Sequence, residues 1–423
     1  MHVQETPTQV ADVLLHSRSL LAGYDPARLN TARVAVVGLG ALGQNIVQNL
    51  ALSGVGNLLL VDFDAFEDHN ATRSPFFPTG DEVTDLGLSK APVVANRAAI
   101  CATAAEPTVR FVESLVQTAG DTVIRWADVV VSAVDSVSAR AWLSERSRIH
   151  GRVMVEGGFA AAEFNLSVFL GVTGAVCYRC LNPSRTSVGS CRAYARAAEA
   201  VSIIPAIQTS AAVLGGMMAE QVIQVLIGNA EWAGLRAYGN VRQPAVSTAR
   251  LPVNPECPGQ HAVLPVLAEL SELPGNLAEL VSLLRAKLDT GWLMLSEPAV
   301  VDMACTRCTE MCRVLATESA WLSRPLCRTC DGPWPRVGAD IAPQTVQLLA
   351  LDDEVGTRAG EIATEALGVR TGGAVVVLDG NGSHGLVLMP DTTDPGWSLA
   401  SPEPGARTAI GTRREDALLE RLL

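Results

Sequence analysis

Three glycines, a few charged residues and three cysteine pairs are the parts of this sequence that could do chemistry. Gly38, Gly40 and Gly43 form G-x-G-x-x-G within Gly38-Leu39-Gly40-Ala41-Leu42-Gly43. Glycines at this spacing allow a tight turn and let a phosphate approach backbone N–H groups at the positive end of a helix. Asp62 lies 24 residues after Gly38, where a carboxylate can take ribose hydroxyls. Alone, this pattern more often means NAD than ATP, and a bare βα turn is the plainest alternative. The residues downstream change the choice: V-D-F-D at 61–64, H-N-A-T-R at 69–73, D-L-G-L-S-K at 85–90 and V-D-S-V-S-A-R at 134–140. A phosphoryl or nucleotidyl transfer site needs cations on its phosphates and a carboxylate for Mg²⁺; a nicotinamide site has no use for them. Each residue also has a plainer reading. Asp62, Asp64 and Asp135 could be loop or helix caps, and Arg73 and Lys90 could be solvated surface charges. Their joint occurrence favours the site.

Elements with the right periodicity must position these residues. Arg33 to Val37 reads as a short apolar strand entering the glycine loop. A helical pattern follows to about Ser53, then a strand over Asn57 to Asp62. This β-loop-α-β unit opens a doubly wound parallel sheet. Further strands are expected at Val109–Val112, Asp128–Ala133 and Arg152–Glu156, with helices at Ser89–Ala104 and Val137–His150. Residues 1–30 read as a helical lead-in. Phe164–Leu170 and the segment around Gly174–Tyr178 suggest a turn to antiparallel strands, and 191–228 a crossover into a long buried helix. Arg242 to His261 reads as a Pro-punctuated exit, with the main domain boundary near His261.

Composition narrows the function class. The 423 residues suggest two or three domains. Lys plus Arg is 32 against 44 Asp plus Glu, a net charge of −12 that disfavours nucleic acid and anionic lipid as partners. With 48% apolar and 18% charged residues, global disorder is excluded. The N-terminus lacks a basic start followed by an apolar run, and Val201–Gly228 carries Gln208, Glu220, Gln221 and Gln224. Neither reads as a signal peptide or membrane span, so a cytoplasmic protein is expected. In that reducing setting the C-x-x-C pairs Cys177/Cys180, Cys305/Cys308 and Cys327/Cys330 point to metal rather than disulfides.

With GLGALG at 38–43, LVDFD at 60–64, N-x-x-R at 70–73, LGLSKA at 86–91, VDSVSAR at 134–140 and CYRC at 177–180, the sequence resembles the ThiF/MoeB-type adenylyltransferases of the ubiquitin-activating superfamily. The resemblance covers roughly residues 15–262. It implies a Rossmann-like α/β fold, doubly wound and mostly parallel, with antiparallel strands at one end. It implies binding of ATP·Mg²⁺ and of the C-terminal tail of a small β-grasp protein ending in glycine, whose carboxylate attacks the α-phosphate. By motif, Gly38, Gly40 and Gly43 face the nucleotide, Asp62 holds the ribose beside Asp64, and Asn70, Arg73 and Lys90 contact phosphates. Asp135 takes Mg²⁺. Arg18 sits where the family often has an arginine reaching a partner subunit, although His16-Ser17-Arg18-Ser19 departs from the family's usual pattern. A homodimer is implied on the same ground.

The family usually places a second C-x-x-C after the long helix, to complete zinc. This chain has Asn254-Pro255-Glu256-Cys257-Pro258-Gly259-Gln260-His261 instead, so Cys177, Cys180, Cys257 and His261 are the expected ligands. An empty, degenerate site is the alternative. Cys305, Cys308, Cys327 and Cys330 form C-x₂-C-x₁₈-C-x₂-C, a zinc-ribbon signal, with Cys312 spare. Cys191, beside Arg192 and near Arg196, lies in the crossover where thioester-forming relatives carry their nucleophile, and adenylation-only relatives can carry a cysteine there too. Cys101 reads as a small buried apolar residue.

The expected domains are therefore 1–262 for adenylation and 263–423 for a small α+β region with a ribbon at 305–330. In the second, Leu264–Leu288 reads as helix broken at Pro274-Gly275, 359–389 as a helix and a hairpin around Asp379-Gly380-Asn381-Gly382, and the tail after Pro390 as flexible. The leading functional expectation is adenylation of a ubiquitin-like protein, then a Cys191 thioester and transfer to a conjugating-type enzyme. The alternatives are sulfur-carrier chemistry for thiamin, molybdopterin or thiolated tRNA, C-terminal adenylation of a short ribosomal peptide, an inactive scaffold for the small protein, and an NAD oxidoreductase.

Overall fold

The computed structural model describes residues 15–78, 87–181, 206–257, 259, 261–288, 290–304, 308, 311–317, 330, 344–350, 364, 369–379, 384–390 and 397–401. Two short helices, α1 (Ser17–Leu21) and α2 (Pro26–Thr31), lead into β1 (Arg33–Val37) and α3 (Ala41–Leu52). There follow β2 (Asn57–Val61), α4 (Lys90–Cys101), β3 (Thr108–Val112), α5 (Val116–Ala119), α6 (Asp121–Trp126), β4 (Val129–Ser132), α7 (Val137–Ile149) and β5 (Val153–Ala160). These five strands pair in parallel in the order β3-β2-β1-β4-β5. The order reverses between β1 and β4, and at such a switch point two neighbouring loops part to leave a crevice.

The strands are continuous apolar runs because both sheet faces are covered. Val34, Val36, Leu58, Leu60, Val129 and Val131 face α3 and α4, whereas Ala35, Val37, Leu59, Val61 and Val130 face α5, α6 and α7. A long helix, α9 (Gln208–Leu226), lies on the α3 side through Leu214, Met218 and Val222. Gly215 packs so closely on α3 that a Cβ there would lie 2.6 Å from the Asn45 Cβ. Burying each Val or Leu contributes about 1.5–3 kcal/mol, so this double-sided core holds the glycine loop on a rigid base.

Beyond β5 the sheet turns antiparallel through β6 (Glu163–Phe169), β7 (Leu235–Asn240) and β8 (Gln243–Arg250). The expected exit after Arg242 is thus a hairpin strand for its first part. Pro244 is tolerated because β8 is the edge of the sheet among the described residues, where a missing N–H costs no ladder bond on the outer side. The segment 174–178 is not a strand: it is a turn into the short helix α8 (Tyr178–Leu181).

The C-terminal part holds a second, six-stranded sheet. It comprises β9 (Val266–Glu269), β10 (Thr290–Ala304), β11 (Met311–Thr317), β12 (Gln344–Ala350), β13 (Ala374–Asp379) and β14 (His384–Leu388). One helix, α10 (Leu277–Lys287), covers it with Leu277, Leu280, Val281 and Leu284, an i, i+3, i+4, i+7 stripe. The expected helix at 264–288 is therefore strand first and helix only after Asn276, whose side chain accepts from the Glu279 N–H at 2.9 Å. Residues 266–269 are strand because β14 pairs with them in parallel, a contact about 120 residues away that local pattern cannot show. The hairpin expected around Asp379 is present as β13 and β14. The tail returns to the first sheet: β15 (Ser398–Leu399) pairs with β3, and Trp397 meets Trp126 edge to face at 5.7 Å.

Candidate adenylation site and metal centre

The glycine loop leaves β1 at the switch point. Gly38 takes φ +90° and donates its N–H to the Val61 carbonyl at 2.9 Å. A Cβ there would lie 2.7 Å from the Ala133 carbonyl oxygen, so the loop crosses the end of β4 at a distance that only glycine allows. Gly43 lies under the loop, where a Cβ would strike the Gly38 carbonyl at 1.9 Å. A Cβ on Gly40 would meet nothing within 4 Å. Gly40 is also the N-cap of α3 and supplies no side-chain cap, which leaves the helix's first N–H groups open to an anion.

Asp62, buried at the end of β2, reaches back to this loop. Its Oδ2 accepts the Leu39 N–H at 2.5 Å and its Oδ1 accepts the Asp64 N–H at 2.8 Å. Burial pushes this carboxyl above its ordinary value, and the Lys90 ammonium opposes the shift. Lys90, the first residue of α4, is buried too, with its Nζ 3.3 Å from the half-exposed Asp64 carboxylate. Gln44 joins loop to loop: its Nε2 donates to the Leu39 carbonyl at 2.9 Å, and its Oε1 accepts the Phe76 N–H at 3.0 Å. Nothing in the sequence marked Gln44, because a glutamine in a helix is unremarkable until its partners are known.

Asn70 and Arg73 lie on the crossover after β2. Asn70 is buried and accepts the Glu67 N–H at 3.0 Å, shaping the turn that presents Arg73. The half-buried Arg73 guanidinium has no partner among the described residues. Asp135 follows β4, exposed and likewise unpaired among the described residues. It is not the cap of α7: Ser136 is, accepting the Ala139 N–H at 3.3 Å. Arg140 fixes the same turn, donating from Nε to the Val134 carbonyl at 2.9 Å and pairing with the fully buried Glu156. The structure thus joins Asp62, Asp64, Lys90 and the glycine loop by direct bonds. It holds Arg73 and Asp135 on two loops, one joined to α3 through Phe76 and Gln44 and the other packed on Gly38 through Ala133, with neither side chain paired among the described residues. Arg18 is exposed on α1. Cys191 lies outside the described residues, as do Cys305 and Cys327; Cys308 and Cys330 are described and half-buried.

The second cluster is compact. The Cys177 Sγ lies 3.8 Å from Cys180 Sγ, 3.6 Å from Cys257 Sγ and 3.5 Å from His261 Nε2, and Cys180 Sγ is 3.4 Å from His261 Nε2. Tetrahedral zinc, with sulfur at about 2.3 Å and nitrogen at about 2.0 Å, spaces its ligands about 3.8 Å (S···S) and 3.5 Å (S···N) apart. The donor set fits that ion. His261 Nδ1 lies 3.0 Å from the Ala175 carbonyl, which presents Nε2 to the cluster. Backbone N–H groups of Asn254 and Gly259 point at Cys180 and Cys257 sulfur, at 3.5 and 3.4 Å. The buried Arg148 donates to the Val172 and Val176 carbonyls and so anchors the turn before Cys177. Among the described residues this is the cluster of metal-ligating type.

The sequence profile of the ThiF family matches residues 17–259, more than half of the chain. The chain belongs to the ThiF family. Its relatives include the sulfur carrier protein adenylyltransferase of Thermus thermophilus, 29% identical over 57% of this chain and 88% of that protein. The SAMP-activating enzyme E1 of Haloferax volcanii is 29% identical over 55% of this chain and 81% of its own. The molybdopterin-synthase adenylyltransferase of Escherichia coli is 30% identical over 40% and 68%. Among solved structures, E. coli MccB is similar at 20% identity and a TM-score of 0.48, over 59% of this chain and 73% of MccB. The family match contains the glycine loop and Cys177, Cys180 and Cys257, and stops short of His261 and the second sheet. Among the described residues no helix is long and apolar enough to cross a membrane.

Proposed function

We propose that this chain uses ATP to adenylate the C-terminal carboxylate of a small sulfur-carrier or ubiquitin-like protein. Family membership supports the adenylyltransferase chemistry. The observation that carries the reading is the open glycine loop, with Asp62 clasping it, together with the charges of Arg73 and Asp135, unpaired among the described residues. In this reading the α3 N-terminus and Lys90 hold phosphates, Asp62 the ribose, and Asp135 the Mg²⁺ that travels with ATP. A terminal carboxylate is already ionised at neutral pH, so no general base is needed. One of its oxygens attacks the α-phosphorus, the bond to the β-phosphate oxygen breaks, and pyrophosphate leaves. Arg73 stabilises the charge that builds up on the phosphates. Catalysis is then positioning and charge neutralisation.

Zinc bound by Cys177, Cys180, Cys257 and His261 would have a structural role, tying the turn after β6 to the segment after β8. The names of the relatives support sulfur-carrier chemistry and ubiquitin-like modification equally. In the second outcome Cys191 attacks the acyl carbon, loses its thiol proton and releases AMP, leaving a thioester for a conjugating-type partner. A homodimer with Arg18 crossing to its partner belongs to the same reading.

The test is exchange of labelled pyrophosphate into ATP, with a Gly-terminated β-grasp protein encoded beside this chain. Exchange that disappears in Asp135→Ala supports adenylation. No exchange with any such protein, from folded enzyme, favours a scaffold that only binds. A thiol-sensitive adduct lost in Cys191→Ala separates conjugation from sulfur transfer.

A further inference from the structure

A cavity of about 520 Å³ opens at the other end of the parallel sheet, between that sheet and the C-terminal one. Arg33, Arg110, Arg125 and Arg152 line it, and none of the described residues that line it is acidic. In a chain of net charge −12, four guanidiniums around one cavity are a local reversal of sign and not a background. The position follows from the fold. Arg33 begins β1, Arg152 precedes β5 and Arg110 sits in β3, while the glycine loop leaves the far end of β1. At about 3.3 Å per residue, β1 alone separates the two places by about 17 Å.

Two of the four, Arg110 and Arg152, keep guanidinium N–H groups with no partner among the described residues. Arg33 pairs with Asp128 at 3.5 Å, with both side chains well exposed. Arg125 is fixed by donating to the Gly373 carbonyl at 3.0 Å. Arg152 Nη2 donates to the Arg125 carbonyl at 2.8 Å, but its buried Nε has no hydrogen-bond partner. The Arg110 side chain makes no hydrogen bond or ion pair with the described residues. Burial lowers the Arg152 guanidinium from its ordinary value; Asp128 opposes this, and Arg33 and Arg125 reinforce it. The remaining imidazole, His150, is taken by Asp121 at 2.9 Å. The lining also includes Trp126, Trp397, Leu264, Leu386 and Leu388, which give the cavity an apolar part.

We propose that this cavity binds a phosphate-bearing small molecule at the junction of the two sheets, apart from the adenylation site. Converging guanidiniums suit an anion with several oxygens and more than one charge, which they can take through forked hydrogen bonds. A single carboxylate brings one charge and two oxygens, fewer than a phosphate group offers to the same donors. The volume lies in the range of small-molecule sites, and the indoles can receive the body of a phosphate ester. Ligand bound there would touch residues of both sheets and so stabilise their junction by mass action.

The experiment is equilibrium dialysis of the full chain with labelled pyrophosphate and, separately, labelled AMP. The first probe carries phosphate alone and the second adds a planar body. The adenylation site takes either probe once, so a second site per chain for at least one probe is the expected result. Arg110→Gln should weaken that second site about 10-fold or more, and pyrophosphate exchange should remain at wild-type level. Arg152→Gln should do the same; if it fails to fold, Arg110→Gln decides, since the Arg110 side chain has no described hydrogen bond or ion pair to lose. A second site for AMP but not pyrophosphate supports the proposal with an ester as ligand. A single site for both probes overturns it, and so does a second site that Arg110→Gln leaves unchanged.

Discussion

The two ends of one parallel sheet handle positive charge in opposite ways. At the carboxyl ends of the strands the donors are largely backbone: a glycine loop, an uncapped helix start and a clasping carboxylate. At the amino ends the donors are long side chains, gathered by strand starts and closed over by the second sheet. The first arrangement depends on local conformation. The second depends on segments far apart in sequence meeting. Substitutions should therefore act differently at the two ends.

The largest expected effect is at the amino end. Asp121 is buried with Arg146, whose Nε lies 2.6 Å from it, and with His150 at 2.9 Å. These partners hold its carboxyl well below the usual range against the penalty of burial. Asp121→Asn should cost about 3–5 kcal/mol in denaturant unfolding, because it leaves Arg146 buried and unpaired. The sign for pH follows. A depressed carboxylate contributes stability that is complete above the unfolded carboxylate range, near pH 4. That contribution is lost as the pH falls further. His150 is shifted down by its burial, so it adds to the acid loss, beginning near pH 6. Unfolding midpoints that do not move between pH 7 and pH 3 would break this account.

Next comes Asp135→Ala, which should lower pyrophosphate exchange about 10²-fold or more and leave the unfolding midpoint unchanged. Gly38→Ala, at φ +90° and against the Ala133 carbonyl, should cost about 1–3 kcal/mol of stability and lower exchange as well. Metal content checks the cysteines. Folded chain should carry zinc that is lost in Cys177→Ser, and about two ions per chain if the second cysteine set also binds. The smallest effect belongs to Arg110→Gln, which should shift stability by no more than about 0.5 kcal/mol. A large loss there would mean that the arginine holds the amino end together, and the contrast between the two ends would fail.

Much of the first sheet was legible because its signals are local. A strand, G-x-G-x-x-G and a helix lie within about 20 residues, and both partners of the Asp62 clasp fall in recognised motifs. His261 was reached from its spacing to Cys257, and its ring lies with all three cysteines. Less was legible after residue 262. Val266–Glu269 and Thr290–Ala304 are strands because distant segments hydrogen-bond to them, and no short-range period announces that. The Pro-rich tail concealed Ser398–Leu399 for the same reason.

By itself the sequence determined the family, the doubly wound class of the sheet and the residue types at the glycine loop. Turn chemistry, strand patterning and motif spacing are properties of contiguous chain. Tertiary structure alone decided that Gln44 ties Leu39 to Phe76, that Ser136 and not Asp135 caps α7, and that four arginines share a cavity. Each of those depends on which distant segments meet, and side-chain partners across a fold are set by packing rather than by neighbours in sequence.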